Sequence, residues 1–164
     1  MCNPSKRNNI NIAYIGGGSK NWARMLMCDL ALQEDLSGTV RLYDIDQKAA
    51  ELNRELGNKL ARDPGAKSDW KYEVAGSLAE ALAGADFVVI SILPGTFEEM
   101  RSDVHAPERY GIYQSVGDTV GPAGLMRALR TIPMYHEFAR QIRDHAPDAW
   151  VTSYTNPMSL CVRT

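Results

Sequence analysis

The chain has 164 residues, of which 45% are hydrophobic and 23% charged, and its formal net charge at pH 7 is −2. This size and composition are typical of one globular domain with its own core, and the small net charge argues against nucleic acid or an anionic membrane as a partner. The apolar runs are too short to cross a bilayer, and the polar amino-terminal residues lack a signal-peptide core. Three scattered cysteines form neither a disulfide framework nor a zinc motif, so we expect a cytoplasmic protein.

A short apolar run followed by three consecutive glycines is the first motif of the chain. Ile12–Ile15 suit a buried parallel strand, and Gly16–Gly18 with Ser19 form a turn that leads into a helix. Backbone N–H groups at such a turn can bind the pyrophosphate of a dinucleotide. The full dinucleotide fingerprint has a third glycine where this chain has Asn21, so a plain strand-to-helix turn is the alternative.

Two acidic residues end the second predicted strand. A helix from Trp22 is expected to end near Gly38, and the β-rich run Thr39–Asp46 follows it. In a nucleotide-binding β-α-β unit, an acid at the end of the second strand accepts hydrogen bonds from the adenosine ribose and repels a 2′-phosphate. Asp44 is placed for that role. A helix N-cap is the alternative for Asp44, although Asp46 suits capping better.

Strands and helices continue to alternate through the middle of the chain. The predicted order is a helix over Gln47–Leu60, a strand over Trp70–Ala75, a helix over Ser77–Gly84 and a strand over Ala85–Leu93. The last strand has the near-continuous hydrophobicity of a strand covered on both faces, which predicts a parallel sheet. Pro94 then opens the kind of loop over which ligands bind at the carboxyl edge of an open α/β sheet.

A long loop punctuated by glycines is predicted over Tyr110–Gly124. Loops of this length in a compact domain are usually either functional or disordered. Its polar side chains are therefore candidate ligand contacts, namely Gln114, Ser115, Asp118 and Thr119. A solvated surface loop is the alternative reading of the same residues.

A helix and a fifth strand complete the predicted sheet. The helix has core-facing positions at Leu125, Leu129, Ile132, Phe138 and Ile142. Pro133 is expected to kink or restart it. The strand begins near Pro147 and ends at Asn156, whose amide can donate and accept hydrogen bonds at the same sheet edge as the glycine turn. We predict an α/β fold with a Rossmann-like doubly wound parallel sheet, incomplete because it has about five strands where a dinucleotide fold has six.

Four motifs, in this order, resemble the amino-terminal domain of glycoside hydrolase family 4, the NAD- and metal-dependent glycosidases. They read I-G-G-G-S at 15–19, S-I-L-P-G at 91–95, E-R-Y-G-I-Y-Q-S-V-G-D-T-V-G-P at 108–122 and Y-T-N-P-M-S at 154–159. Within that family they look most like the α-galacturonidases, and the resemblance extends over essentially the whole chain. The long loop motif is the specific one, whereas the glycine turn is not.

The resemblance implies a redox-neutral hydrolysis that departs from the usual two-carboxylate scheme of glycosidases. Bound NAD would take hydride from the sugar C3, a base would remove the acidified C2 proton, and the glycosidic oxygen would leave by elimination. Water would then add and the hydride would return. A divalent metal, typically manganese (Mn2+), would polarise the oxygens at C2 and C3.

The resemblance also assigns roles by position. The cofactor-binding residues would be Gly16, Gly17, Gly18, Ser19, Asn21, Asp44, Leu93, Pro94 and Asn156. Among them the turn would hold the pyrophosphate, Asp44 would bind the ribose, and Leu93 and Pro94 would line the nucleotide cleft. Asp118 and Asn156 would bind hydroxyl groups of a small galacturonide substrate, with Asn156 also near the nicotinamide.

The metal ligands and the catalytic base of the family are expected outside this sequence. In the family, the metal-binding cysteine lies on the strand after the asparagine-proline helix, and the histidine ligand and the base follow later. Cys161 lies too early for that role and is interpreted, like Cys28, as a small buried side chain. We therefore expect residues 1–164 to be the amino-terminal NAD-binding domain of a longer, homo-oligomeric enzyme, inactive alone, with its metal ligands and C-terminal domain beyond Thr164.

Two other functions are compatible with parts of the pattern. Lactate and malate dehydrogenases share the fold and an asparagine-proline step after the fifth strand, but the loop Gln114–Pro122 does not look like theirs. A nucleotide-binding module without chemistry is the second alternative, favoured for this chain by the missing metal ligands.

Overall fold

The computed structural model describes residues 7–115, 117 and 119–164, so Asp118 lies outside the described residues. The elements in chain order are β1 Arg7–Ile15, α1 Trp22–Leu32, β2 Leu36–Tyr43, α2 Gln47–Leu60, β3 Trp70–Val74, α3 Leu78–Leu82, β4 Phe87–Ile90, α4 Phe97–His105, a 3-10 helix Ala106–Tyr110, α5 Gly121–His145, β5 Trp150–Ser153 and α6 Met158–Cys161. None of the helices in these ranges is long and apolar enough to span a bilayer.

Two compact units make up the chain. The first comprises Met1–Ser91 and Gln141–Thr152, and the second comprises Ile92–Arg140 and Ser153–Thr164. The single-domain expectation for residues 1–164 stays a prediction, and the two units are described separately below.

The sheet has five strands in the order β3-β2-β1-β4-β5. β1 pairs in parallel with both β2 and β4, so that Ile12 lies opposite Val40 on one side and Phe87 on the other, and β2 pairs in parallel with β3. The strand order therefore reverses between β1 and β4, which is the arrangement of a doubly wound dinucleotide fold. The predicted α/β class and strand count are confirmed, and the carboxyl end of β1 lies at the reversal.

The core of the first unit is built around β1. Its four consecutive residues Ile12, Ala13, Tyr14 and Ile15 are all buried, because helices cover the sheet on both faces. Neighbouring strands and α1 contribute further buried side chains to the same cluster, among them Met27, Val40, Leu42, Trp70, Tyr72 and Val89. The buried carboxyl-terminal part of β1 thus holds the glycine turn that follows it.

Gly38 does not end the first helix. α1 ends at Leu32, and Gly38 lies within β2, where a Cβ atom would stand 1.9 Å from the carbonyl oxygen of Ile10. The glycine is needed because two backbones approach closely there, and a helix-stop interpretation of the same residue was wrong.

The buried face of α2 does not include all of its apolar residues. Leu52 is 60% exposed, whereas Ala50, Asn53 and Gly57 are buried. Small side chains face the sheet because α2 packs closely on it, and a Cβ on Gly57 would lie 2.6 Å from the ring of Tyr72. Apolar spacing alone therefore does not identify the buried face of this helix.

The buried residues of α5 also differ from those that apolar spacing predicted. The helix begins at Gly121, so the predicted loop end at Gly124 was wrong, and it continues through Pro133 without a break. Leu125 and Leu129, two of the predicted core positions, are 64% and 61% exposed, and Ile132 is also exposed. The buried positions are instead Ala123, Arg127, Ala128, Thr131, Tyr135 and, as predicted, Ile142.

The two described cysteines have different environments. Both are free thiols, but Cys28 is exposed and Cys161 is buried. The expectation of a buried side chain was therefore right for Cys161 and wrong for Cys28, because α1 turns Ala23, Met27 and Leu30 towards the core instead.

Candidate functional site

The glycine turn after β1 is tied to the end of β2 by its own backbone. The N–H groups of Gly16 and Gly17 both donate to the carbonyl oxygen of Tyr43 at 2.9 Å, and the N–H of Ser19 donates to the carbonyl oxygen of Gly16 at 3.0 Å. Buried backbone donors need such partners, and here the turn supplies them without a ligand. The turn is therefore held in one conformation by the protein itself.

Each of the three glycines is required for a different reason. Gly16 has a φ of 95°, in the left-handed region that favours glycine. A Cβ on Gly17 would lie 2.6 Å from Cβ of Leu42, and a Cβ on Gly18 would lie 2.8 Å from Cβ of Ala49. The glycines let β2 and α2 approach the turn, which shapes its outer surface.

Asp44 lies against this turn, directly after β2. Its Oδ2 accepts a hydrogen bond from the N–H of Gly18 at 2.8 Å, and its Oδ1 accepts one from the N–H of Asp46 at 2.9 Å. Asp46 caps α2 by accepting from the N–H groups of Lys48 and Ala49. The capping role therefore belongs to Asp46, and the carboxylate of Asp44 is fixed beside the glycines.

The backbone donors left for a ligand come just after the glycines. The N–H of Gly18 is bonded to Asp44, and the N–H of Trp22 is bonded to Oγ of Ser19. Within the described turn, Lys20 and Asn21 are the residues whose N–H groups have no hydrogen-bond partner, and both residues are exposed at the start of α1. A helix start with free N–H groups favours an anionic ligand such as a pyrophosphate.

Sequence reasoning missed Asn53, a fully buried asparagine of α2 that lies beneath the turn. Its Nδ2 donates to the carbonyl oxygens of Gly17 and Ser19 at 2.7 and 2.9 Å, and its Oδ1 accepts from Nε of Arg24 at 2.9 Å. The signal available in the sequence was its place on the same helical stripe as Ala50 and Gly57, where a polar residue is unexpected unless it has buried partners.

In the second unit, Thr155 ties the segment after β5 to the segment after β4. Its Oγ1 accepts from the N–H of Ile92 at 3.0 Å and donates to the carbonyl oxygen of Ile92 at 3.3 Å. Leu93 and Pro94 follow one side of this contact and Asn156 follows the other. These three predicted residues are therefore brought together, as are Gly16–Asn21 and Asp44 in the first unit.

Asn156 is held by its main chain and presents its side chain to solvent. Its carbonyl oxygen accepts from Nε of Arg127 at 3.1 Å, and Arg127 is itself only 5% exposed. A buried guanidinium on a main-chain oxygen fixes the backbone while leaving the Asn156 amide available.

Gln114 supports the predicted loop rather than projecting from it. Its Oε1 accepts from the N–H of Ala123 at 3.1 Å, and its Nε2 donates to the carbonyl oxygen of Val120 at 3.3 Å. The amide therefore satisfies a backbone donor in the first turn of α5. A ligand contact for Gln114 would require these bonds to be given up.

The loop at Gly95 rests on an ion pair. Arg130 forms a two-point contact with the carboxylate of Asp103, which is largely buried, and the hydrogen bonding that the guanidinium donates to Asp103 raises the pKa of Arg130. Gly95 has a φ of 94°, and a Cβ there would lie 2.8 Å from Oε2 of Glu99 and 3.1 Å from Nε of Arg130. The pair anchors α5 to α4 beneath the Leu93–Gly95 segment.

No metal site is evident in the part of the chain that the structure describes. Groups of three or more His, Cys, Asp or Glu side chains placed to hold an ion are absent from these ranges. Burial raises the pKa of the Cys161 thiol, which disfavours the thiolate that binds metals.

Comparison with known proteins identifies relatives over the whole fold. The family model described as family 4 glycosyl hydrolase matches residues 11–164. An α-galacturonidase from Thermoanaerobacterium saccharolyticum is 64% identical over 159 residues, which are 97% of this chain and 34% of that protein. An α-glucosidase from Erwinia rhapontici is 36% identical over 152 residues, which are 90% of this chain and 33% of that protein. The chain spans about a third of the length of these curated relatives.

Solved structures show the same fold. A crystal structure of a Bacillus subtilis protein, 56% identical, matches with a TM-score of 0.89 over 96% of this chain and 35% of the other. A 6-phospho-β-glucosidase from Thermotoga maritima, solved with manganese, NAD+ and glucose 6-phosphate, is 26% identical and matches with a TM-score of 0.76 over 91% of this chain and 34% of the other. A lactate dehydrogenase from Eimeria maxima, 18% identical with a TM-score of 0.57 over 94% of this chain and 38% of the other, shares the fold alone.

Proposed function

The chain belongs to glycosyl hydrolase family 4, and on that premise we propose that it is the NAD-binding part of an α-galacturonidase that uses NAD and a divalent metal. The observation that carries the substrate is the identity of 64% to an α-galacturonidase, against 36% to an α-glucosidase over nearly the same length. A difference of that size favours a shared substrate with the former. The full substrate site is outside this comparison, since the chain spans a third of the relatives.

The geometry of the first unit supports NAD as the cofactor. We assign the pyrophosphate to the turn residues Gly16, Gly17, Gly18, Ser19 and Asn21. Asp44, already fixed by the N–H groups of Gly18 and Asp46, has lone pairs left to accept from the ribose hydroxyls. Its negative charge would repel a 2′-phosphate, so the cofactor proposed is NAD rather than NADP.

The second unit contains the residues that we assign to the sugar. Asn156 presents its amide from a backbone held by Arg127, and it would hydrogen-bond to hydroxyl groups of the galacturonide near the nicotinamide. Asp118 would contact the same sugar, and Leu93 and Pro94 would line the nucleotide cleft. These assignments rest on the match of their motifs to the family.

Bound NAD would supply a hydride acceptor for the sugar C3. Oxidation at C3 would acidify the C2 proton and allow the glycosidic oxygen to leave by elimination. The residues of this chain would bind and orient the two reactants. Manganese does not fit the described residues, since they offer no group of side chains placed to hold it. We propose that its ligands, like the catalytic base, belong to parts of the whole protein outside this chain.

We also propose a cellular location and an assembly state for the protein. The free thiols of Cys28 and Cys161 fit a reducing cytoplasm. We propose a homo-oligomer that acts on a small galacturonide and has no nucleic-acid or membrane partner.

An assay of the complete gene product separates the candidate functions. With NAD and manganese, we expect hydrolysis of a galacturonide that requires NAD but accumulates no NADH, and no oxidation of malate. Accumulation of NADH on malate would instead favour a dehydrogenase. Binding of NAD without activity on either substrate would favour a module without chemistry.

A further inference from the structure

Asn53 lies where the turn, α1 and α2 meet, and it contacts the backbone of the turn rather than its outer surface. We propose that Asn53 is a positioning residue for the pyrophosphate of the dinucleotide, acting through the backbone of the turn. This inference rests on the NAD binding proposed above. It adds a residue that lies 36 positions from Gly17 in the sequence and belongs to none of the motifs.

The hydrogen bonds of Asn53 select two carbonyl groups of the turn. Both of its Nδ2 hydrogens are used, one on the carbonyl oxygen of Gly17 and one on that of Ser19. Its Oδ1 accepts from Arg24 of α1. A fully buried amide is stable only with such partners, so its position is fixed by three bonds to two elements.

The orientation of those carbonyls determines where the N–H groups point. In a planar trans peptide, the C=O of one residue and the N–H of the next point in opposite directions. With the Gly17 carbonyl directed at Asn53, the Gly18 N–H is directed away from Asn53 and reaches Asp44. With the Ser19 carbonyl directed at Asn53, the Lys20 N–H must also point away.

The Lys20 N–H has no partner in the described turn, and it lies at the start of α1 where an anion is favoured. Asn53 therefore orients a free donor for the pyrophosphate, whereas the carboxylate of Asp44 is also held by the N–H of Asp46. Loss of Asn53 would let the Ser19–Lys20 peptide rotate, which weakens phosphate contacts more than contacts to the adenosine.

The chain provides a matched control in Asn58. It lies on the same helix and also makes three hydrogen bonds through its amide, but its partners are the main chain of Arg54 and of Tyr72 in β3. Asn58→Leu and Asn53→Leu remove equivalent amide groups from α2, but only the amide of Asn53 contacts the turn.

The test measures binding of NAD by calorimetry and of adenosine by NMR titration to the wild-type chain and both variants. We expect Asn53→Leu to weaken NAD binding about tenfold or more while adenosine binding changes less than about twofold. Asn58→Leu should leave the ratio of the two affinities unchanged. Asn53→Asp keeps the acceptor for Arg24 but lacks both donors, so it should repeat the selective loss if Asn53→Leu does not fold.

Four results would overturn the proposal. Equal weakening of NAD and adenosine by the Asn53 variants would indicate a merely structural role, and a selective loss in Asn58→Leu would show that the effect is not specific to the turn. Unchanged NAD binding in the Asn53 variants would remove the role altogether. If the wild-type chain binds no NAD, the proposed cofactor fails, and the role of Asn53 fails with it.

Discussion

The glycine turn and the segment around Asn156 both present polar groups for a ligand, but they are built differently. In the turn, three of the N–H groups and two of the carbonyl groups are bonded to Tyr43, Asp44 and Asn53. At Asn156, a buried arginine holds one carbonyl oxygen, and the side chain that would meet the ligand is exposed. The glycine turn is thus preorganised by the residues of this chain, whereas the segment around Asn156 offers only a fixed backbone.

This difference has an energetic meaning. A preorganised site loses little conformational freedom on binding, so its affinity depends on contacts that already exist without the ligand. A site with a free side chain gains specificity only when the substrate orders it. Substitutions in the turn should therefore affect cofactor binding strongly, and substitution of Asn156 should affect substrate use more than cofactor binding.

The largest effect is expected from Gly18→Ala. The added Cβ would lie 2.8 Å from Ala49 and 2.9 Å from the carboxylate of Asp44, so the turn must shift. We expect NAD binding to fall about a hundredfold and the free energy of unfolding to fall by about 1–3 kcal/mol. Calorimetry and urea unfolding measure the two effects. In the control Gly76→Ala, the nearest atom is the terminal carboxylate oxygen of Glu80 at 3.3 Å, and near-wild-type binding is expected.

Asp44→Asn should reduce the preference for NAD over NADP. The substitution removes the charge that repels a 2′-phosphate and weakens the bonds to the ribose, so the ratio of the two affinities should fall about tenfold or more. Competitive titrations with both dinucleotides measure it. Asp46→Asn serves as the control, because asparagine caps a helix as well as aspartate does. A ratio that is unchanged by Asp44→Asn would show that this carboxylate does not meet the ribose.

Asn156→Ala should distinguish substrate use from cofactor binding. NAD binding is expected to stay within about twofold of wild type, because Arg127 contacts the main chain and not the side chain. Hydrolysis of a galacturonide by the complete gene product should fall about tenfold, as expected for the loss of a hydrogen bond. Steady-state kinetics check this, with Met158→Ala as an exposed neighbouring control. A loss confined to NAD affinity would reverse the proposed roles.

The smallest effect concerns the cap of α4, which follows the Leu93–Gly95 segment. Hydrogen bonds from Thr96, first from its backbone and then from its side chain, lower the pKa of Glu99. The ionised carboxylate therefore stabilises the fold above its unfolded pKa, and that contribution disappears as the pH falls through the lower folded pKa. Glu99→Gln should be slightly less stable than wild type at neutral pH and equal to it in acid. Urea unfolding at both pH values measures the difference in stability between Glu99→Gln and wild type. A difference that persists in acid would contradict this cause.

Local patterns were sufficient for the fold and for part of the site. The apolar run before Gly16 predicted β1, and the two acids after the next β-rich run predicted where β2 ends and which of them caps α2. These features depend on residues near each other in the sequence, such as the backbone donors that Asp46 accepts. The β-α-β unit indicated Asp44 as the residue for the ribose, but its hydrogen bond with the N–H of Gly18 was not predicted.

The features that were missed depend on how closely elements pack. Leu52 and Leu125 have helical apolar spacing yet are exposed, because α2 and α5 bury small residues such as Gly57 and Ala128 instead. The sequence pattern measures hydrophobicity and not the distance between a helix and its neighbours. Asn53 was missed for the same reason, since its role depends on a turn that the fold brings into contact with it.

A calorimetric titration of this chain with NAD and with NADP tests the central claim most directly. A saturable isotherm for NAD, with markedly weaker binding of NADP, is the predicted result. The absence of any binding heat for NAD, or equal affinity for both dinucleotides, would contradict the assignment of the glycine turn and Asp44 to the cofactor.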